Sequence, residues 1–305
     1  MRILIVGAGA VGGYFGARWI AAGRDVTFLV RDGRRATLAK TGLTVLGLGQ
    51  DLHVEPRAMT ALELNESFDL VFITVTGDAL QAALNQIAPA IGPATSIITA
   101  LNGVRHFDML RDKFGHEAVL GSVVKCVTKL DEEGRIIVLT PLAQIAFGNW
   151  SGQEDERLQA VHTALSADGI DVHISPSIRE EIFEKWLLMI ALGAANSLLN
   201  GDVGTINAEP RGAWAIQEIL REGQRGLIEI GMCPRDSAVE AMSRLFSDTA
   251  SRQTSSLYRN MAAGRRIELE PIIGDFLDRV ADHRVYPLIS AAYARLAIYM
   301  RSKNS

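Results

Sequence analysis

The opening stretch of the chain constrains its fold more than any other. Residues 2–6 are a short run rich in Ile, Leu and Val, typical of a strand buried on both faces of a parallel sheet. Gly7, Gly9 and Gly12 follow with G-x-G-x-x-G spacing, and the chain then turns helical. In such a unit the first glycine permits a tight turn, the second lets a pyrophosphate approach the backbone, and the third lets helix and strand pack closely.

The motif predicts a dinucleotide site, with a purely structural glycine turn as the alternative. Glycine is common in this chain, with 28 among 305 residues, so the prediction depends on the strand before the motif and the helix after it. The first helical turn offers free N–H groups and the positive end of its dipole to phosphates. The cofactor-binding residues predicted in this stretch are Gly7, Ala8, Gly9, Ala10, Val11 and Gly12.

Composition narrows the class of protein. A chain with 48% hydrophobic and 22% charged residues is that of one large or two medium globular domains. With a net charge of −4, the chain lacks the excess of positive charge that is typical of proteins that bind nucleic acid or a membrane surface. Cys126 and Cys233 match no metal spacing, so we expect no metal site, free thiols and a cytoplasmic location. Residues 3–6 are too short for a signal-peptide core, and no run approaches about 18 apolar residues, so no membrane span is expected.

The residue after the second predicted strand, residues 26–30, selects the nicotinamide cofactor. An acidic residue there binds the ribose of NAD, whereas an arginine accepts the 2′-phosphate of NADP. This chain has Arg31, followed closely by Arg34 and Arg35, while Asp32 comes one place late. The pattern favours NADP (NADPH), with a solvated basic loop as the alternative.

Buried strands alternate with helices in the first half of the chain. Strands are predicted at residues 68–75 and 96–101, with Asn102 directly after the second, whereas residues 43–61 are ambiguous. We expect further strands at 118–125, 135–139 and 143–148. Alternation of this kind predicts an α/β fold, a Rossmann-type doubly wound parallel sheet that binds ligands at the carboxyl ends of its strands.

Helical periodicity dominates beyond about residue 155. The predicted helices cover residues 178–200, 213–230, 235–246, 254–262, 270–283 and 287–300. The sequence therefore predicts an NADP-binding Rossmann domain at residues 1–173, then an all-helical C-terminal substrate domain at 174–305. Small substrates commonly bind in the cleft between such domains. The apolar helical domain makes a homodimer plausible.

Two charged residues lie in apolar helical surroundings. Lys185 is near the start of the longest apolar helix, where it either extends its ammonium group to solvent or supplies a proton in the cleft. Glu268 precedes an amphipathic helix, where a carboxylate is also favoured by the helix dipole alone. A carbonyl that is reduced becomes an alkoxide and needs a proton donor, so both are candidates.

Five motifs, in this order and spacing, resemble the ketopantoate reductase (2-dehydropantoate 2-reductase) family over the whole chain. They are residues 7–13, Asn102-Gly103, Glu184-Lys185-Trp186, Ser255-Ser256-Leu257, and residues 265–268 ahead of Ile273-Gly274. The resemblance implies a Rossmann domain followed by a helical domain, and reduction of ketopantoate to pantoate in pantothenate biosynthesis. It also implies that Lys185 is the general acid and that Ser256 contacts the substrate carboxylate. By the same resemblance Asn102 lies near the nicotinamide, and Glu268 reaches both cofactor and substrate.

Three positions depart from the family pattern. Thr76 stands where the family usually has a lysine, and Met189 and Gly193 stand where its ketopantoate reductases have asparagines four and eight residues after the catalytic lysine. Asn196 and Asn200 lie further along the same helix. The departures predict a pocket with fewer hydrogen bonds to the polar tail of a substrate.

Three functions are compatible with these residues. The first is NADPH-dependent reduction of a small 2-keto acid. The second is the same chemistry on a different carbonyl or imine, and the third is a non-catalytic NADP-binding sensor. Retention of Lys185, Glu268 and Asn102 together disfavours the sensor, which needs none of them.

Overall fold

The computed structural model describes residues 1–49 and 51–304. The chain divides into two compact units, one of residues 1–101 with 106–178 and the other of residues 102–105 with 179–305. The strands, all in the first unit, are β1 (Arg2–Val6), β2 (Asp25–Leu29), β3 (Leu43–Leu46), β4 (Leu52–Val54), β5 (Arg57–Met59), β6 (Phe68–Ile73), β7 (Ile91–Thr99), β8 (Gly121–Leu130), β9 (Ile136–Gly148) and β10 (Asp171–Ile174). The helices before residue 178 are α1 (Ala10–Ala21), α2 (Asp32–Thr41), α3 (Gly77–Gln86), α4 (Arg105–Phe114) and α5 (Glu156–Leu165).

A parallel sheet with strand order β5-β2-β1-β6-β7 forms the centre of the first unit. β1 is its middle strand, and Ile3, Leu4 and Ile5 are fully buried. Neighbours on both sides and helices on the faces leave no polar environment for β1, which explains its continuous apolar run. The prediction of an α/β fold with a parallel sheet is confirmed.

A second sheet in the same unit has the strand order β10-β9-β3-β4, with β8 also pairing with β9. The strands predicted at 118–125, 135–139 and 143–148 lie in this sheet, because β8 and β9 form an antiparallel hairpin. The strands predicted at 135–139 and 143–148 are in fact one continuous strand, β9. The ambiguous region 43–61 divides between the sheets, with β3 and β4 in the second sheet and β5 at the edge of the first.

The second unit is helical. Its elements are α6 (Ile178–Leu199, with Ile178 in the first unit), α7 (Val203–Asn207), α8 (Pro210–Glu229), α9 (Asp236–Leu245), α10 (Ser256–Ala262), α11 (Asp275–Arg279) and α12 (Pro287–Asn304). The helix predicted at 270–283 is instead a π-helical turn, Glu270–Gly274, followed by the short α11. The helical C-terminal domain is confirmed as a fold, whereas its predicted boundary at residue 174 stays a prediction.

α6 is apolar and long enough to cross a membrane by length and composition alone, with a mean hydropathy of 1.4 over its best window. Only Glu184 and Lys185 are charged between residues 182 and 199, although the uninterrupted apolar run there covers only residues 186–195. In the structure, however, 67% of that window is buried inside the protein. A central core helix has the same composition as a membrane span, so this finding is weak evidence for a membrane.

Candidate functional site

The glycine-rich turn between β1 and α1 has the geometry of a phosphate-binding loop. Gly7 has a φ of 104°, which a side chain disfavours. A Cβ at Gly12 would lie 2.3 Å from the Gly7 carbonyl oxygen and 2.2 Å from Thr74 Oγ1, so helix and strand pack too closely for any other residue. A Cβ at Gly9 would meet no atom within 4 Å. The open side of the loop is therefore at Gly9, the N-cap of α1, where the helix N–H groups are available to an anion.

A cleft of about 350 Å³ opens beside this loop. Its lining includes Gly7, Ala8 and Gly9 from the loop and Arg31 and Arg34 from the segment after β2. The predicted cofactor residues Ala10, Val11 and Gly12 belong to the first turns of α1 and do not line it.

The structure separates the three arginines of the predicted basic segment. Arg31, just before α2, is exposed and lines the cleft. Arg35 is paired with Glu63, with 2.8 Å between Arg35 Nη2 and Glu63 Oε1, and does not line the cleft. Arg34 is half-buried, and its Nε donates a hydrogen bond of 3.1 Å to the Ala8 carbonyl oxygen.

Arg34 carries an unsatisfied donor next to the cleft. Burial lowers the pKa of its guanidinium below the usual value. Within the described part of the chain, its buried Nη2 has no hydrogen-bond partner. A buried cationic donor without a partner is unfavourable, and an anion at this edge of the cleft would offset that cost. The residues present therefore fit a dinucleotide phosphate better than a neutral ligand.

Thr74 and Thr76 follow β6 on the other side of the loop. Thr74 Oγ1 donates to the carbonyl oxygens of Val6 and Gly7, at 3.1 and 2.9 Å, and so holds the end of β1. Thr76 is the exposed N-cap of α3 and lines the cleft. The position where the family usually has a lysine thus faces the cleft with a neutral side chain.

In the second unit, Asn102 and Glu268 lie together although 166 residues separate them. Asn102 Nδ2 donates to Glu268 Oε2 at 3.0 Å, and both side chains are half-buried. Gly103 permits this approach, because its φ is 78° and a Cβ there would lie 1.9 Å from the Pro271 carbonyl oxygen. Two residues that the sequence analysis assigned to the cofactor region therefore share a hydrogen bond.

Lys185 is half-buried on α6, between two residues that other elements hold firmly. Glu184 accepts two hydrogen bonds from the Arg235 guanidinium, at 2.6 and 2.7 Å. Trp186 is fully buried, and its Nε1 donates to the Ile272 carbonyl oxygen at 2.9 Å. With both neighbours fixed, the backbone of Lys185 has little freedom.

Ser256 is exposed and is the first residue of α10. The preceding Ser255 caps this helix, with its Oγ accepting from the Tyr258 N–H at 3.0 Å. Asn196 on α6 is fully buried, and its Oδ1 accepts from the Ser255 N–H at 2.7 Å. Asn196 and Ser255 thus position Ser256, a role that no short-range sequence pattern revealed.

Comparisons with known proteins agree with this architecture of a dinucleotide-type cleft and a helical unit. The family profile described as "Ketopantoate reductase PanE/ApbA" matches residues 3–152, and "Ketopantoate reductase PanE/ApbA C terminal" matches residues 177–297. The chain belongs to the ketopantoate reductase family, as its motifs predicted. Members of this family are oxidoreductases that act on small keto acids with a nicotinamide cofactor.

Individual relatives match this chain over nearly its full length. The chain is 32% identical over 305 residues to "Uncharacterized oxidoreductase YkpB" of Bacillus subtilis, covering 99% of this chain and 100% of that protein. It is 25% identical to a 2-dehydropantoate 2-reductase of Mesorhizobium japonicum, covering 98% of each. A crystal structure of 2-dehydropantoate 2-reductase from Geobacter metallireducens has a TM-score of 0.83 at 24% identity, covering 98% of this chain and 99% of that one, and supports the fold.

Proposed function

We propose that the protein reduces a small 2-keto acid to the 2-hydroxy acid, with NADPH and a proton as co-reactants. The observation that carries this proposal is the half-buried Lys185, held on an apolar helix in a chain whose other unit has a cleft of dinucleotide type. A reduced nicotinamide, when bound, supplies the hydrogen and the electron pair that convert the carbonyl carbon to an alcohol carbon. The reaction transfers one hydride from NADPH and consumes one proton, so that atoms, electrons and charge balance.

The chain's own residues supply the rest of the chemistry. Lys185 Nζ donates a proton to the substrate oxygen, which would otherwise carry a full negative charge. The hydroxyl of Ser256, at the start of α10, hydrogen-bonds the substrate carboxylate. Asn102 and Glu268 orient cofactor and substrate, and their mutual hydrogen bond of 3.0 Å keeps both side chains in place.

A steady-state assay of NADPH oxidation with a panel of 2-keto acids tests this function. Turnover of at least one 2-keto acid with a kcat/KM above about 10⁴ M⁻¹s⁻¹, the lower edge of typical enzymes, is expected. Turnover only of imines or other carbonyl compounds would favour the alternative oxidoreductase. Tight NADPH binding with no turnover of any of these compounds would favour the sensor.

The cofactor preference is a separate prediction, which Arg31 and Arg34 at the cleft support. NADPH is expected to bind more tightly than NADH in fluorescence titrations. Arg31→Asp should weaken NADPH binding by roughly 10–100-fold and reduce or reverse the preference, because one charge-assisted hydrogen bond is lost and a repelling charge is added.

The matched control for this prediction is Arg35→Gln. Arg35 lies four residues along the same segment but pairs with Glu63 and does not line the cleft, so its loss should leave both dissociation constants within a few-fold. Equal binding of NADH and NADPH by the unmodified protein would contradict the predicted preference.

A cytoplasmic location and a homodimer stay predictions. Small keto acids are the expected partners, and no nucleic-acid partner is proposed.

A further inference from the structure

The face of α6 that carries Lys185 continues toward the C-terminus as an apolar stripe. Residues four, seven, eight and eleven positions later share this face of a helix, and here they are Met189, Leu192, Gly193 and Asn196. Met189 is half-buried like Lys185, whereas the other three are buried. The groups closest to Lys185 along the stripe, Met189 and Leu192, are therefore aliphatic or thioether groups.

Gly193 brings a second apolar group onto this stripe. A Cβ at Gly193 would lie 2.8 Å from Leu257 Cδ1, and 4.0 Å from Ile273 Cδ1. The methyl group of Leu257 thus occupies the space into which a side chain at position 193 would extend. An amide at that position would require Leu257 to move, so the glycine and the leucine are a matched pair.

Asn196, the one polar side chain of the stripe, is hydrogen-bonded to the backbone through both its amide nitrogen and its amide oxygen. Its Nδ2 donates to the Gly201 carbonyl oxygen at 2.8 Å, and its Oδ1 accepts from the Ser255 N–H at 2.7 Å. Asn200 lies beyond the end of α6, where it is exposed and its Oδ1 accepts from Arg295 Nη2 at 3.4 Å. Neither asparagine therefore replaces the amides missing at positions 189 and 193.

Two contacts place the first turn of α10 against this stripe. The Asn196–Ser255 hydrogen bond holds the start of α10, and Leu257 packs on Gly193. Ser256 lies between these two contacts in the chain, with its own side chain exposed. Leu192 and Leu257 are only 6% and 2% exposed, so they fill the core beneath this face. The accessible group of the stripe nearest to Lys185 is therefore the half-buried thioether side chain of Met189.

We propose that the natural substrates are 2-keto acids with an apolar branched side chain, and that a hydroxyl on that side chain is selected against. This inference rests on the proposed function, since it assumes that the keto group lies at Lys185. A substrate hydroxyl placed against Met189 would lose its hydrogen bonds to water without gaining new ones. An apolar pocket discriminates against an added hydroxyl by up to about 10²-fold.

The sharpest test compares two acids that differ in one oxygen atom. Ketopantoate is 4-hydroxy-3,3-dimethyl-2-oxobutanoate, and 3,3-dimethyl-2-oxobutanoate is the same acid without the hydroxyl group. The kcat/KM for the acid without the hydroxyl is expected to exceed that for ketopantoate by about 10–10²-fold. Dissociation constants of the two acids, measured by calorimetry, should differ in the same direction, which gives a readout that does not depend on turnover.

The possible outcomes separate this inference from the proposed function. If ketopantoate is reduced as well as or better than its analogue, the apolar-tail inference is overturned while the reductase function stands. If neither acid nor any other 2-keto acid is reduced, the proposed function fails and the inference fails with it.

Met189→Asn adds an amide one helical turn from Lys185 and should shift the preference back. The ratio of the two kcat/KM values is expected to fall by about tenfold toward ketopantoate, as one new hydrogen bond to the hydroxyl implies. A ratio measured within one preparation is independent of how much of the variant is correctly folded. Leu198→Asn is the matched control, because residue 198 is half-buried on the opposite face of α6, and it should leave the ratio unchanged. An unchanged ratio in Met189→Asn would overturn the placement of the substrate tail on this stripe.

Discussion

Replacing Lys185 with alanine is expected to lower kcat by about 10²–10⁴-fold, the usual loss when a positioned acid is removed. The NADPH dissociation constant should stay within a few-fold, because the dinucleotide cleft is lined entirely by residues of the other unit. A loss confined to kcat identifies a group that acts in the transition state rather than in binding.

The competing explanation for Lys185 is an ammonium group that only reaches solvent along the helix side. Lys185→Met distinguishes the two, because it keeps most of the aliphatic stem that a solvent-reaching lysine packs against its surroundings, but it has no proton to donate. A catalytic lysine predicts the same large loss of kcat in both variants, with Lys185→Met close to the unmodified protein in thermal stability. If either variant keeps more than about a tenth of kcat while chemistry is rate-limiting, Lys185 is not the acid.

The parallel sheet could be predicted from the sequence because its information is local. β1 is a continuous apolar run with glycines directly after it, and both features follow from burial on two faces and from a tight turn. The helical second unit was similarly visible in the 3.6-residue periodicity of its apolar residues. These patterns depend on each element's own environment and need no knowledge of its partners.

The second sheet could not be predicted because its pairing is non-local. β3 and β4 are short and only partly buried. β3 pairs with β9, which follows it by about 90 residues in the sequence. β9 continues through residues 140–142, including Pro141, which lie between the two strands predicted at 135–139 and 143–148. The ladder there has a register shift between Cys126 and Thr128, and irregular pairing of this kind accommodates a proline.

Within the site, the roles that sequence reasoning missed depend on distant partners. Arg34 and Arg35 are adjacent in sequence, but Glu63 pairs with Arg35, while Arg34 contacts the Ala8 carbonyl oxygen. Asn196 looked like a possible substitute for a missing pocket amide until its contacts with Gly201 and Ser255 were known. Residue type shows only that these groups are polar, whereas the fold determines which partner each of them contacts.

The glycines of the phosphate loop allow fold and function to be separated by two single substitutions. Gly12→Ala should destabilise the protein by about 3 kcal/mol or more, the upper end of the usual cost of overpacking. Its Cβ would overlap the Gly7 carbonyl oxygen and Thr74 Oγ1, and neither can move easily. The first is backbone at the end of the central strand, and the second is held by two hydrogen bonds. A fall in melting temperature of roughly 6 °C or more is expected in a thermal melt.

Gly9→Ala should instead leave the stability of the protein nearly unchanged and weaken the binding of NADPH. Its Cβ would meet no protein atom within 4 Å, and the Gly9 backbone, with φ of −84° and ψ of −163°, suits alanine. Stability should therefore change by less than about 0.5 kcal/mol. The added methyl group would, however, stand where a pyrophosphate must approach the loop, so the affinity for NADPH should fall by at least about tenfold. If Gly9→Ala binds NADPH as tightly as the unmodified protein, the loop has only a structural role, because the open space at Gly9 is then not where the phosphates lie.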